Sequence, residues 1–222
     1  MKFFAWLSQL LFPEKCILCS RVLEKEEMDL CHHCRIHVNE SPLPKDKLPF
    51  LDSWVALWYY EGNVRRSLLR YKFQGRQSYG ESYGRLLAMK LLREDRAEYD
   101  LITYVPISDQ RRRKRGFDQV ELLAQEVSRQ LQIPMVATMK KVRHNQPQSG
   151  IQGHAQRRAN VLGAYQVLDP ALLSGKSVLL LDDIVTTGAT AGEAARVLLT
   201  AGANDVHLAV IARANHETKT GR

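Results

Sequence analysis

The chain has 222 residues, 45% of them hydrophobic and 25% charged, a balance that excludes wholesale disorder and fits one full domain plus a small module. Its 32 Lys and Arg against 24 Asp and Glu leave a formal charge of +8, which favours an anionic partner: nucleic acid, phosphate or an acidic membrane surface. The apolar runs are too short to span a bilayer, so no membrane span is expected.

Residues 1–15 carry one cation ahead of their apolar stretch, Lys2, and no small-x-small cleavage signature. Phe3, Phe4, Leu7, Leu10 and Leu11 follow helical spacing, so the segment reads as a short amphipathic helix, and the cytoplasm is the expected location. All four cysteines come next, as Cys16-x-x-Cys19, eleven residues, then Cys31-x-x-Cys34. Two such knuckles can place four thiolates tetrahedrally on one structural zinc ion, at about 2.3 Å each, and leave no open coordination position for catalysis. A redox or disulfide role is the alternative, but a disulfide scaffold would spread its bridges through the fold. His32, His33 and His37 read as solvated neighbours rather than ligands. Residues 39–49, NESPLPKDKLP, disfavour helix and sheet and read as a linker. The break divides a zinc module at 1–42 from a larger domain at 43–222.

In that domain Trp54 to Tyr60 reads as a strand, Arg65 to Gly75 as a basic stretch opening with a short helix, residues 79–93 as a helix, and Leu101 to Val105 as a buried strand ended by Pro106. Val120, Leu123, Ala124, Val127 and Leu131 form one stripe on a helix from Phe117 to Leu131. Ser177 to Leu181 reads as a buried parallel strand, Thr186 to Thr190 as a turn, the residues up to about Ala201 as a helix stopped by Gly202, and Val206 to Ala212 as a strand. Strand, helix and strand make a βαβ unit, so the expected fold is α/β, a largely parallel sheet flanked by helices.

The segment from Val178 to Thr190 carries the chemistry. A buried strand delivers Asp182 and Asp183 to the carboxyl edge of the sheet, where open α/β sheets bind ligands. Thr186, Thr187, Gly188, Ala189 and Thr190 then enter a helix, and their amides, hydroxyls and the helix dipole can cradle a phosphate. The two acids suit the hydroxyls of a ribose, or a magnesium ion shared with them, so the site reads as ribose 5-phosphate recognition with Asp182 and Asp183 in the catalytic role. A solvated turn whose acids only cap the helix would need a single Asp, Ser or Thr. A P-loop is discarded, because Gly175-Lys176-Ser177 leads into a strand and Pro170 stands where the first glycine belongs.

This motif resembles the phosphoribosyl pyrophosphate motif of type I phosphoribosyltransferases. Taken with the four cysteines, Tyr71-Lys72-Phe73, Gly75-Arg76, Val105-Pro106, Arg115-Gly116-Phe117-Asp118-Gln119 and Arg157-x-x-Asn160 before Gly163-Ala164-Tyr165, nearly the whole chain is similar to the ComF family. Asp118 stands where the family has Asn, and Asn145-x-x-Gln148 where it has Thr-x-x-Gln. The resemblance implies a type I phosphoribosyltransferase-like domain behind a zinc module, a role in natural transformation and use of external DNA, and work on single-stranded DNA beside a helicase and recombination proteins. It also implies that the loop from Val105 to Ser108 binds pyrophosphate.

Arg111, Arg112, Arg113, Lys114 and Arg115 form a run that can neutralise nucleic-acid phosphates or hold a pyrophosphate, with Tyr71, Phe73 and Phe117 as possible stacking platforms; the plain alternative is a solvated loop with Phe117 in the core. Two functions are therefore expected. One is a binding protein for single-stranded DNA and a phosphoribosyl ligand. The other is a transferase using phosphoribosyl pyrophosphate and magnesium on an acceptor that no residue set in the sequence specifies.

Overall fold

A computed structural model describes residues 13–95, 97–143 and 160–215. The expected amino-terminal helix, Asn145, Gln148, Arg157, Arg158 and the tail beyond 215 lie outside those residues. In chain order the elements are α1 (His32–His37), β1 (Ser53–Tyr59), α2 (Gly62–Phe73), α3 (Tyr79–Glu94), β2 (Leu101–Tyr104), α4 (Asp109–Arg115), α5 (Gln119–Leu131), β3 (Met139–Lys141), β4 (Tyr165–Val167), β5 (Ser177–Val185), α6 (Ala189–Thr200) and β6 (Asp205–Arg213).

Four strands form a parallel sheet in the order β1-β6-β5-β2, and β3 pairs with β4 in a small antiparallel ribbon. Alternation along the strands gives the sheet two buried faces. Leu57, Leu179, Leu181 and Ile211 meet α2, α3 and α5, while Ala56, Val178, Leu180 and Leu208 meet α6 and the β3–β4 ribbon. The stripe expected on α5 is buried at Val120, Leu123, Ala124 and Val127. Asp118 caps this helix. Its Oδ1 accepts from the amides of Val120 at 2.9 Å and Glu121 at 3.3 Å, a cap that an Asn carbonyl would also make, and its Oδ2 accepts from the Ile107 amide at 3.1 Å.

Helices α3 and α5 cross closely at Gly84. A Cβ there would lie 2.5 Å from Cβ and Cγ of Glu126 and 3.2 Å from the Leu123 carbonyl. Gly84→Ala is therefore expected to lower stability by roughly 1–3 kcal/mol in a thermal melt, and an unchanged melting temperature would show that the crossing is loose.

Three expectations change. The first concerns β5, which runs to Val185 instead of ending at Leu181 because its pairing with β6 continues to Arg213, so the acid pair sits within a strand. The second concerns the basic run. It is not a loop but the helix α4, started by the Ser108 hydroxyl and ended by left-handed Gly116. The third concerns the proline-rich stretch, which has no helix or strand but is not a free spacer. Its Ser41 is fully buried, with its carbonyl accepting from Lys90 Nζ at 2.8 Å, and its Leu48 and Pro49 lie against Gly188 and Gly192.

Candidate functional site

The carboxyl end of β5 turns into α6 through Thr186, Thr187 and Gly188. Gly188 occupies the N-cap with φ +72°, a left-handed conformation that glycine adopts without strain, and it offers no side chain to cap the helix. Leu48 closes one flank of the turn, since a Cβ on Gly188 would come within 2.6 Å of its Cδ2. A small concavity opens on the other flank, lined by Asp182 and by residues 184–191. An anion placed here meets the positive end of a twelve-residue helix.

Strand alternation sends the two acids to different surroundings. Asp183 is held on both oxygens, by Lys72 Nζ at 2.9 Å and by Gln119 Nε2 at 2.7 Å. Arg115 Nη1 donates to Gln119 Oε1 at 2.6 Å, so a chain of contacts runs from the end of α4 through α5 to Asp183. Burial alone would raise the Asp183 carboxyl, but the Lys72 ammonium and the Gln119 amide outweigh it and hold the group below the usual carboxylate range. Asp182 accepts the Asp183 amide, at 2.8 Å. Burial, and then the charge on Asp183, push its carboxyl up to about 8. The expectation that both acids grip one sugar therefore needs revision in this structure: Asp182 lines the concavity, whereas Asp183 is bound to the helices on the opposite face.

The cations are distributed unevenly. On α4, Arg112 pairs with Glu121 at 2.7 Å, Arg115 points inward with its guanidinium 5.1 Å from the Phe73 ring, and Arg113 and Lys114 are exposed. Lys141, which sequence reasoning missed, stands on β3 with Nζ 3.4 Å from the Tyr165 hydroxyl. Burial, and then the charge on Arg111, pull its ammonium down to about 8. Of the three proposed stacking residues only Phe73 is available, at 64% exposure. Tyr71 and Phe117 are core residues, and the Tyr71 hydroxyl donates to the Gln119 carbonyl at 2.6 Å. Arg70 donates to the carbonyls of Ile17 and Leu18 at 2.9 and 2.7 Å.

The sulfurs of Cys16, Cys19, Cys31 and Cys34 lie within 4.8 Å of one another, and no disulfide links them. Burial, and then the neighbouring sulfurs, push the Cys34 thiol far up, so four thiolates can share this space only around a cation. All four donors are soft and three are buried, which fits structural zinc. His32, His33 and His37 are exposed, and the cluster is made of cysteines alone. The knuckle is fastened to the larger fold by Arg70, by the Ser67 hydroxyl donating to the Ile17 carbonyl, and by a two-pronged pair of Arg85 with Asp29 at 2.6 and 3.1 Å.

Residues 121–222 match the phosphoribosyl transferase domain. Parallel sheet, flanking helices and β5–α6 loop together define a type I phosphoribosyltransferase-like domain, here preceded by a four-cysteine cluster able to hold a metal. Among relatives, the DNA utilization protein YhgH of Escherichia coli O157:H7 is 29% identical over 207 residues, covering 89% of each chain. Competence protein F of Haemophilus influenzae is 26% identical over 228 residues, 91% of this chain and 98% of that one. Competence protein ComFC of Bacillus subtilis is 25% identical over 192 residues, 84% and 72% respectively. Relatives with these names and the matched domain together support the ComF family for this chain. Among the described residues no helix is long and apolar enough to cross a membrane.

Proposed function

We propose that the chain is a ComF-type factor in the use of external DNA, and that it binds single-stranded DNA in the cytoplasm through α4 and its surroundings. The names of its relatives support the DNA role. The observation that carries the binding reading is the exposed Phe73 ring beside Arg115, with Arg113 and Lys114 facing solvent on the same helix as Arg115. Cations release counterions from the backbone and an exposed ring stacks on a base whatever its sequence. A DNA-uptake helicase or recombination proteins would be the partners that deliver or receive the strand.

Titration with a labelled oligonucleotide tests this. With about three phosphates neutralised, affinity should fall about twentyfold between 50 and 200 mM salt. Phe73→Ala should weaken binding at least about fivefold. Affinity that does not respond to salt, or to joint replacement of Arg113 and Lys114 by Ala, rejects the reading.

A second reading, a phosphoribosyltransferase, is favoured by Asp182 lining the concavity beside the uncapped start of α6. In it, residues 186–190 hold the 5-phosphate of phosphoribosyl pyrophosphate, Asp182 takes the ribose hydroxyls, and Arg111 and Lys141 face the pyrophosphate. Magnesium bound with that ligand would supply charge neutralisation, with Asp182 as the carboxylate nearest to hold it.

A further inference from the structure

The sheet face that meets α3 and α5 is apolar along most of its length, with Val55, Leu179 and Ala209 among its residues. At the amino end of the sheet the same face turns polar. Strand β1 opens with Ser53 and β5 with Ser177, and β6 opens with Asp205 and carries His207 two positions on. The parallel register sets Ser53 beside His207 and Ser177 beside Asp205.

These side chains join. Ser53 Oγ lies 2.8 Å from His207 Nδ1, and His207 Nε2 lies 2.9 Å from Asp205 Oδ1. The Ser177 hydroxyl and the Asn204 amide donate to the same carboxylate at 2.5 and 2.6 Å. The Tyr99 ring packs edge-on against the imidazole, with centroids 5.3 Å apart, and holds its plane.

The partners fix where the protons sit. Burial alone would raise the Asp205 carboxyl, but the Ser177 hydroxyl, the Asn204 amide and His207 outweigh it and hold the group below the usual carboxylate range. An ionised carboxylate only accepts, so Nε2 donates to it, and neutral His207 then offers the lone pair of Nδ1 to the Ser53 hydroxyl. Serine, imidazole and carboxylate thus stand in hydrogen-bond order, with both contacts inside the span of about 2.6–3.2 Å at which an oriented base activates a hydroxyl. The two ring nitrogens are used in the reverse sense to the familiar protease arrangement, but the proton transfer is the same. A knot that merely tied the strand starts together could be sealed from water. Here Ser53 and His207 are both part-exposed, so a reagent can approach.

We propose that Ser53 is a nucleophile, with His207 as its base, that takes an acyl group from an activated ester or thioester. Ser53 Oγ bonds to the carbonyl carbon as its proton passes to His207 Nδ1. The bond from that carbon to the leaving oxygen or sulfur then breaks, and the leaving group takes the proton from Nδ1. The products are an ester on Ser53, a neutral imidazole and a free alcohol or thiol. A positioned base contributes about 10²–10⁴-fold, enough for a donor with a good leaving group and too little for an amide. The phosphate loop lies at the other end of the nine-residue strand β5, so this site stands apart from the DNA and phosphoribosyl readings.

The test is acylation of the zinc-loaded full chain by p-nitrophenyl acetate, quenched in acid and read by intact mass and peptide mapping. One acetyl group should appear on Ser53, at least about a hundredfold faster than on the exposed Ser174. His207→Gln, which keeps a hydrogen-bonding side chain beside Ser53, should slow the reaction by a similar factor. Mapping and rates on the parent chain decide the site even should that variant not fold. Acetylation that spares Ser53, that proceeds there no faster than at Ser174, or that keeps the parental rate in folded His207→Gln overturns the proposal.

Discussion

Asp182→Asn should abolish binding of phosphoribosyl pyrophosphate while leaving the fold intact, whereas Asp183→Asn should first of all destabilise the protein. The difference follows from the partners. Asp182 faces the loop concavity and, among the described residues, accepts a backbone amide and makes no ion pair that its replacement would break. Among the described residues Asp183 is the carboxylate that pairs directly with Lys72, at 2.9 Å, with both groups mostly buried. Its loss strands an ammonium and frees Gln119, which is expected to cost on the order of 3 kcal/mol. Thermal melts read the second effect and calorimetry the first. A melt of Asp183→Asn that matches the parent would show that Lys72 finds another anion, and ligand binding by Asp182→Asn at parental affinity would remove Asp182 from the site.

Acidity sharpens this expectation. The Asp182 carboxyl is raised to about 8 by burial and by the charge on Asp183, so a ligand that needs its carboxylate should bind more tightly as pH rises from 7 to 9. Lys141 loses charge over the same range, which weakens an anion and makes the rise shallow; Lys141→Met should steepen it. The stability sign is opposite. An acid raised by folding ionises more readily when unfolded, so Asp182 weakens the fold as pH climbs from the ordinary carboxylate range to about 8. Asp182→Asn should therefore melt no lower than the parent at pH 8.

Removing zinc is expected to have the second large effect. A chelator, or Cys16→Ser, leaves crowded sulfurs that cannot all ionise, and binding energies of structural zinc sites reach about 10 kcal/mol or more. The knuckle should come apart, with one zinc per chain lost by elemental analysis and a lower melting temperature. The damage should travel. Ile17 and Leu18 hold Arg70, and two residues along α2 Lys72 holds Asp183, so ligand affinity should also fall. A protein that melts identically with and without chelator would reduce the cluster to four ordinary thiols.

Local pattern made much of this visible in advance. Paired CxxC knuckles, the period of α5 and the run from Val178 to Thr190 each report a structure made by neighbours in sequence. Misreadings arose where local and long-range signals compete. Tyr71 and Phe117 stand among cations and suggest platforms, yet Tyr71 continues the buried stripe of Val64 and Leu68 on α2. The helix α4 was marked by Ser108 and Gly116 at its ends, signals that a run of five cations obscures. Lys72, Gln119 and Arg213 gain their roles from partners 111, 64 and 167 positions away, which no periodicity encodes.

The strap around Leu48 and Pro49 has a practical consequence. Its Leu48 and Pro49 pack against Gly188 and Gly192 where β5 turns into α6, so severing the polypeptide within the proline-rich stretch is expected not to yield two working parts. Swapping the amino-terminal portion between relatives at that point would transplant one flank of that turn along with the four-cysteine knuckle, and chimeras should be joined upstream of Asn39, where the backbone begins to pair with β1.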